Sequence, residues 1–207
     1  MPELRRGECA MTQVAVLFAR SDSIYKTLSA TDVWDAQRNA LNWPGGAPVV
    51  AHPPCRAWGR LRTFAKPRPG EKELALWAVD KIRSHGGVLE HPASSLLWKE
   101  KPLPEPGEQD DWNGWTLVIS QWWWGHRAEK LTRLYICGAK PSELPPMPYR
   151  MGEASHVIAQ SSLNQHLRRR PEVSKKEREA TPVELATWLI EVARICGSNI
   201  AAERHTA

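Results

Sequence analysis

The sequence predicts an α/β fold, a single domain built on a mostly parallel sheet with helices on both faces. Short apolar runs of strand length, at residues 14–18 (VAVLF), 47–51 and from Val88-Leu89, recur along the chain with helical or loop segments between them. One segment, 71–85, carries Leu74, Leu76, Trp77, Val79 and Ile82 at helical spacing. With 207 residues, of which 42% are hydrophobic, the chain can bury one sizeable core and has little length for a second.

Taken in order, residues 1–13 are a polar, flexible N-terminus and 14–140 form the α/β core. Residues 14–18 read as a buried strand of a parallel sheet. Residues 24–42 read as weakly helical, with Thr31 or Asp32 as N-cap and Pro44-Gly45-Gly46 as the stop. A second strand at 47–51 runs into a loop, and the helix at 71–85 ends at Gly86-Gly87 before the third strand. Residues 101–113, rich in Pro, Gly and acid, form a surface loop. Residues 115–124 are an apolar strand or short helix, and 134–137 are another strand. Residues 141–180 make a basic linker that opens with an extended, Pro-rich stretch. A final helix at 181–196, entered through Thr181-Pro182, packs on the core. No internal repeat is present.

Composition narrows the function classes. No apolar run has the length of a bilayer span, and the first twenty residues lack the pattern of a signal peptide, so a cytoplasmic protein without a membrane partner is expected. Cys9, Cys55, Cys137 and Cys196 are widely spread without metal-ligand spacing, which predicts neither a disulfide framework nor a metal site. A formal charge of +5, with basic clusters at 56–68 and 167–178, favours a polyanionic partner. Among eleven tryptophans, Trp58 and the run Trp122-Trp123-Trp124 are candidates to stack on a base.

Chemistry concentrates at strand ends. In Val49-Val50-Ala51-His52-Pro53-Pro54-Cys55 a strand meets a rigid Pro53-Pro54 corner that delivers a cysteine where open parallel sheets carry their sites. Arg56, Arg60 and Arg62 are placed to lower its pKa. The segment Gly87-Val88-Leu89-Glu90-His91-Pro92 repeats the arrangement, so Glu90 is expected beside Cys55 as a partly buried acid of raised pKa. A third segment, 124–135, is basic and leads into a strand whose alternation sets Lys130, Thr132 and Leu134 on one side, with Leu131, Arg133 and Tyr135 on the other.

The order PPC (53–55), E-H-P (90–92) and G-x-x-x-x-K-x-T-R (125–133) resembles the cytosine-C5 DNA methyltransferase family, above all its short phage-type members. The likeness covers roughly residues 14–138, and the lead-in Arg178-Glu179-Ala180-Thr181-Pro182 is similar as well. It implies a reduced Rossmann-like methyltransferase fold and a transferase acting on DNA. It also implies Cys55 as the nucleophile that attacks C6 of the base, and Glu90 as the group that engages N3. Pro53, Pro54, Arg56, Trp58, His91, Pro92, Lys130, Thr132 and Arg133 would surround the substrate. S-adenosylmethionine would lie near Phe18, Arg20, Ser21 and Asp22, with Asp32 or Asp35 on its ribose. A thiolate adding at C6 makes C5 nucleophilic and calls for an acid at N3, which is why the two residue types occur together.

The chain departs from the family pattern at residues 19–25, which contain no glycine where the family has a Gly-rich cofactor turn. It also has His91 in place of the usual Asn. Only about 40 residues separate Cys137 from the last helix, too few for a large target-recognition region, so little sequence specificity is expected. Two other readings stay open. One is a catalytically degenerate fold that binds nucleic acid without turnover; the other is an enzyme that modifies C5 of a free pyrimidine nucleotide with a different one-carbon donor. Thymidylate-synthase-type enzymes share the Pro-Pro-Cys nucleophile, but the second and third motifs argue against that fold.

Overall fold

The computed structural model describes residues 12–59, 62–158 and 170–206. Most of the expected flexible N-terminus, Cys9, Arg60, Arg168 and Arg169 lie outside the described residues.

Six strands form one sheet in the order β2-β1-β3-β4-β6-β5. They are β1 (Val14–Ala19), β2 (Thr31–Asp35), β3 (Val49–Ala51), β4 (Gly87–Pro92), β5 (Trp115–Ser120) and β6 (Leu131–Cys137). The first four run parallel, while β6 lies antiparallel between β4 and β5. The α/β expectation of a mostly parallel sheet holds. Both faces are covered, which is why β1 and β3 are continuous apolar runs with almost every residue buried.

Helix α1 (Glu71–His85) covers one face, setting Ala75, Ala78, Val79 and Ile82 against Ala15, Leu17, Ala51 and Leu89. Helix α4 (Val183–Thr206) covers the other, with Leu185, Leu189, Val192 and Cys196 against Val14, Val16, Val50, Val88 and Leu134. Each of the larger aliphatic side chains contributes about 1.5–3 kcal/mol on burial. Helix α4 runs on past the expected end at 196 to Thr206. The Pro182 carbonyl accepts from the Ala186 N–H, so the proline stands before the first turn, where its missing N–H costs no helical bond. Gly87, at φ 138°, is required by closeness: a Cβ there would lie 2.0 Å from the Val49 carbonyl oxygen. That approach lets β4 pair with β3 directly from its first residue.

Residues 24–42 correct the sequence reading. Instead of one weak helix, 3-10 turns at Ile24–Thr27 and Ala40–Asn42 flank the edge strand β2. The strand is half-buried on both sides, so it lacks a buried run, and the Asp35 carboxylate captures the N–H groups of Gln37 and Arg38, closing a turn where a helix would otherwise propagate. Residues 115–124 are a strand followed by a 3-10 turn, Gln121–Trp124. Helix α2 is Leu97–Glu100. The basic linker contains a 3-10 turn at Pro141–Glu143 and α3 (Lys175–Glu179), capped by the Ser174 hydroxyl on the Glu177 N–H. Among the described residues no helix is long and apolar enough to cross a membrane.

Candidate functional site

The site grows from the register of two parallel strands. Val50 pairs with Val88 and both face α4; two residues on, His52 and Glu90 emerge side by side on that same face. The antiparallel β6 brings its first residues to the same edge, with Thr132 opposite Pro92, and Gln121 follows the end of β5. A hydrogen-bonded row results. His52 Nδ1 lies 2.9 Å from Glu90 Oε2, His52 Nε2 lies 2.9 Å from the Tyr25 hydroxyl, and the Gln121 amide donates to Glu90 Oε1 and to Thr132 Oγ1, each at 3.0 Å. Since a carboxylate only accepts, Nδ1 carries a proton toward Glu90.

Burial by itself would push the Glu90 carboxyl up, but the His52 hydrogen bond and the charges of Lys130 and His52 prevail and hold it at about 2. The expected raised pKa is therefore corrected: Glu90 is a held carboxylate, not a resident acid. The sequence signal for burial was sound; what it left out was His52, which supplies the opposing hydrogen bond.

Cys55 closes the Pro53-Pro54 corner and is exposed. Its own carbonyl accepts from the N–H groups of Trp58 and Gly59 at 3.0 and 2.8 Å, so the turn that carries the sulfur is closed twice. Protein packed around the sulfur and the negative charge of Glu90 raise the thiol, with Lys130 pulling the other way. The expectation that the neighbouring arginines lower it is corrected. Arg56 pairs with Glu71, Arg60 lies outside the described residues, and Arg62 lines a cavity beside the loop. The cation that assists Cys55 is Lys130, half-buried, with Nζ donating to the Ala180 carbonyl at 3.1 Å.

The remaining expected substrate contacts divide. Pro53 and Pro54 stiffen the lead-in, and Thr132 is fully buried, where it holds Gln121 and does not face a ligand. Arg133 is buried on the α1 face, over the Trp98 ring at 4.9 Å, donating to the Pro104 carbonyl and to Thr116 and pairing with Glu105. Its role is structural, because strand alternation turns it away from Lys130. His91 points to the same α1 face, edge-on to Trp98, and burial, opposed by the Glu90 charge and the Pro54 backbone, holds it neutral with a pKa of about 4. The Pro92 carbonyl accepts from Trp98 Nε1. Trp58, expected to stack on a base, is 1% exposed inside the α1 core with Lys72 over its ring. Trp124 packs on Trp188; Trp122 and Trp123 remain half-exposed.

The expected cofactor residues are engaged with one another. Phe18, at φ 62°, makes a bulge between Leu17 and Ala19 and packs edge-on to Trp77. Arg20 pairs with Asp22 and Glu179 at 2.9 and 2.7 Å, leaving Ser21 exposed between the charges. Asp32 accepts from Trp34 Nε1 and Arg38, and Asp35 from Lys26 and two backbone N–H groups. As arranged, these residues do not fit S-adenosylmethionine: the carboxylates meant for its ribose are satisfied and no glycine opens the turn. Among the described residues no group of three or more His, Cys, Asp or Glu could hold a metal ion.

The sequence motif contains His52 but assigns it no role, although its two-residue offset from Val50 matches that of Glu90 from Val88. Tyr25 and Gln121 carry no sequence signal, being brought in by a turn and by the antiparallel hairpin. A cavity of about 490 Å³ lies beside the loop after Cys55, lined among others by Arg62, Arg68, Lys72 and Trp58. Among protein-family models, curated proteins and solved structures, none matches this chain.

Proposed function

We propose that the chain modifies C5 of a pyrimidine base, cytosine in DNA foremost, through a covalent bond from Cys55 to C6. The observation that carries this reading is an accessible thiol at the mouth of β3, beside a buried carboxylate at the mouth of the adjacent parallel strand, with a lysine acting on both. The thiolate forms the C6–S bond as the C5–C6 double-bond pair moves into the ring and N3 gains a proton. C5 then takes an electrophile; its hydrogen leaves as a proton to water, and the freed pair re-forms the C5–C6 double bond as the thiolate is expelled. Lys130 favours the thiolate, while Glu90 faces the ring nitrogen. On this reading the fold is a reduced Rossmann-like methyltransferase sheet and the protein works in the cytoplasm.

A polymer is favoured over a free pyrimidine nucleotide by the loop that follows Cys55. Arg62, Lys66 and Arg68 are exposed there without an ionic partner among the described residues, and Phe64 stands 85% exposed between them. Unpaired cations interleaved with an aromatic ring suit a phosphate backbone and an unstacked base. The electrophile is a methyl or other one-carbon group. The engaged residues at the β1 and β2 ends favour a second reading, binding without turnover.

Exchange of the C5 hydrogen separates the two. Addition at C6 alone makes C5 exchangeable, so cytosine-containing oligonucleotides in D2O should gain deuterium at C5 with the wild-type chain and not with Cys55→Ser, whatever the donor. Binding without any exchange by the wild type sinks the enzyme reading. A stable mass adduct with 5-fluorocytosine oligonucleotides that needs S-adenosylmethionine would identify the donor, and a parallel arm with 5-fluoro-dUMP tests the free nucleotide.

A further inference from the structure

The proposed addition requires a proton at N3, and Glu90 as it stands holds none: both carboxylate oxygens accept hydrogen bonds, Oε1 from Gln121 and Oε2 from His52. Something behind Glu90 must lend that proton. His52 is in contact, 13% exposed at its side chain, and its far nitrogen is committed to the hydroxyl of Tyr25, itself 1% exposed.

We propose that Tyr25 and His52 are positioning residues that form a proton relay behind Glu90, His52 lending the proton that Glu90 passes to N3 of the base. The inference rests on the reading of Cys55 and Glu90 as a pyrimidine-activating pair. In the charged form of the relay His52 gives Nδ1–H to the Glu90 carboxylate, 2.9 Å away, and Nε2–H to the Tyr25 oxygen, also at 2.9 Å. As Cys55 adds to C6, the Nδ1–H bond breaks and a Glu90 O–H forms; that O–H breaks in turn as N3–H forms. His52 is left neutral, protonated on Nε2. When the thiolate is expelled N3 returns the proton by the same path, which restores the relay, while the C5 hydrogen leaves separately as a proton to water.

Tyr25 gives the relay its direction. Its oxygen accepts Nε2–H in both states of His52, which fixes Nδ1 as the nitrogen that releases the proton. A neutral His52 with its proton only on Nδ1 would have to become an imidazolate, or draw on the Tyr25 hydroxyl. Burial and the Glu90 charge push the tyrosine pKa well up and oppose that loss. Among the described residues the titratable and charged groups that act on Glu90 or stand against His52 are Tyr25 from the turn after β1, His91 on β4, Lys130 ahead of β6 and Cys55 from its loop. Lys130 offsets the added negative charge when Glu90 is an anion, and His91 is already neutral.

The test joins a kinetic and a spectroscopic readout. His52→Gln keeps a donor toward Glu90 but cannot lend a proton; it should lower C5 exchange about a hundredfold and abolish the fall in rate at alkaline pH. Tyr25→Phe should move that alkaline limb to lower pH, with a smaller loss of rate than His52→Gln. A His52→Gln chain with the wild-type rate and pH profile, alongside an inactive Cys55→Ser chain, overturns the relay and leaves the Cys55 reading standing. Nitrogen-15 NMR of the wild-type imidazole is independent of turnover. Nε2 of His52 should carry a proton at every pH at which exchange proceeds, with Nδ1 losing its proton in Glu90→Gln. An unprotonated Nε2 overturns the relay whatever the exchange assay gives.

Discussion

The ends of β1 and β2 and the ends of β3 and β4 lie on the same edge of one parallel sheet, yet they spend their charges in opposite ways. At β1 and β2 every acidic side chain expected to serve a ligand already has a partner on the chain: Asp22 on Arg20, Asp32 on Arg38, Asp35 on Lys26. At β3 and β4 the partners hold Glu90 in place while a thiol stands open next to it. A self-satisfied cluster stabilises a turn; a held carboxylate beside an unpaired nucleophile is arranged for something that is not part of the chain. On the proposed reading the chemistry belongs to the β3–β4 half, and substitutions at the two pairs of strand ends should then have very different consequences.

The largest effect is expected at Cys55. Cys55→Ser should lower C5 exchange by about a thousandfold or more, since a serine hydroxyl in that position has no thiolate equivalent. Far-UV circular dichroism and the urea midpoint should hardly move, because the residue is exposed and the exchange of sulfur for oxygen nearly preserves its shape. Glu90→Gln keeps the size of the side chain and removes its charge; exchange should fall by about a hundredfold or more, measured on the same oligonucleotide. A Glu90→Gln chain as fast as wild type would mean that the held carboxylate is structural, and the contrast between the two halves would collapse.

The end of β4 should weigh heavily in acid stability. His91 is held neutral with a pKa of about 4, below the ordinary imidazole value, so the unfolded chain takes up that proton first. Its contribution is complete above about pH 6.5 and is lost as pH falls toward 4. Glu90, depressed to about 2, contributes fully above the ordinary carboxylate range and loses that contribution as pH falls through about 2. Each is worth roughly 3 kcal/mol across its window. Urea midpoints near pH 7, about 5 and about 3 should therefore fall in two stages. His91→Asn removes the upper stage and Glu90→Gln the lower; a single stage common to both variants would refute the assignment.

A smaller effect is expected in the loop after Cys55. Arg62→Ala and Arg68→Ala should each reduce the slope of log affinity against log salt for single-stranded DNA by about one, and Phe64→Ala should weaken binding with the slope unchanged. Fluorescence anisotropy over a salt series measures both. A salt slope unaltered in the arginine variants would return the substrate to the free nucleotide.

What the sequence made legible follows the same divide. Buried parallel strands and α1 were readable because continuous apolar runs and a 3.6-residue period seldom arise in any other way, and Gly86-Gly87 marked the helix end where the structure has it. The edge strand β2 was not, because half-burial on both sides erases the run that identifies a strand. Within the site, Cys55 and Glu90 stood out through their proline-stiffened strand ends. Their environment did not: Tyr25 arrives from a turn 27 residues before His52, and Gln121 from the far side of an antiparallel hairpin. Without those partners the carboxylate reads as a raised acid; with them it is an anion. Arg133 and Trp58 show the converse error, residue types that suit a nucleic acid but that alternation and a tight turn carry into the core.

The smallest effect, and the one that decides whether the two halves are separate, is expected at Arg20. Its pairs with Asp22 and Glu179 are between a third and a half exposed, so Arg20→Ala should cost less than about 1 kcal/mol by urea denaturation. One thread does connect the halves: Glu179 also acts on the charge of Cys55, in the direction that disfavours the thiolate. Freed from Arg20, the Glu179 carboxylate would act on the sulfur more strongly, and C5 exchange should slow by no more than about threefold near neutral pH, with the deficit shrinking as salt is added. A loss comparable to that of Cys55→Ser would mean that the β1 end enters the reaction directly. An arginine whose removal leaves both stability and exchange within these limits belongs to a turn that holds itself together, and the chemistry then rests on the neighbouring strand ends.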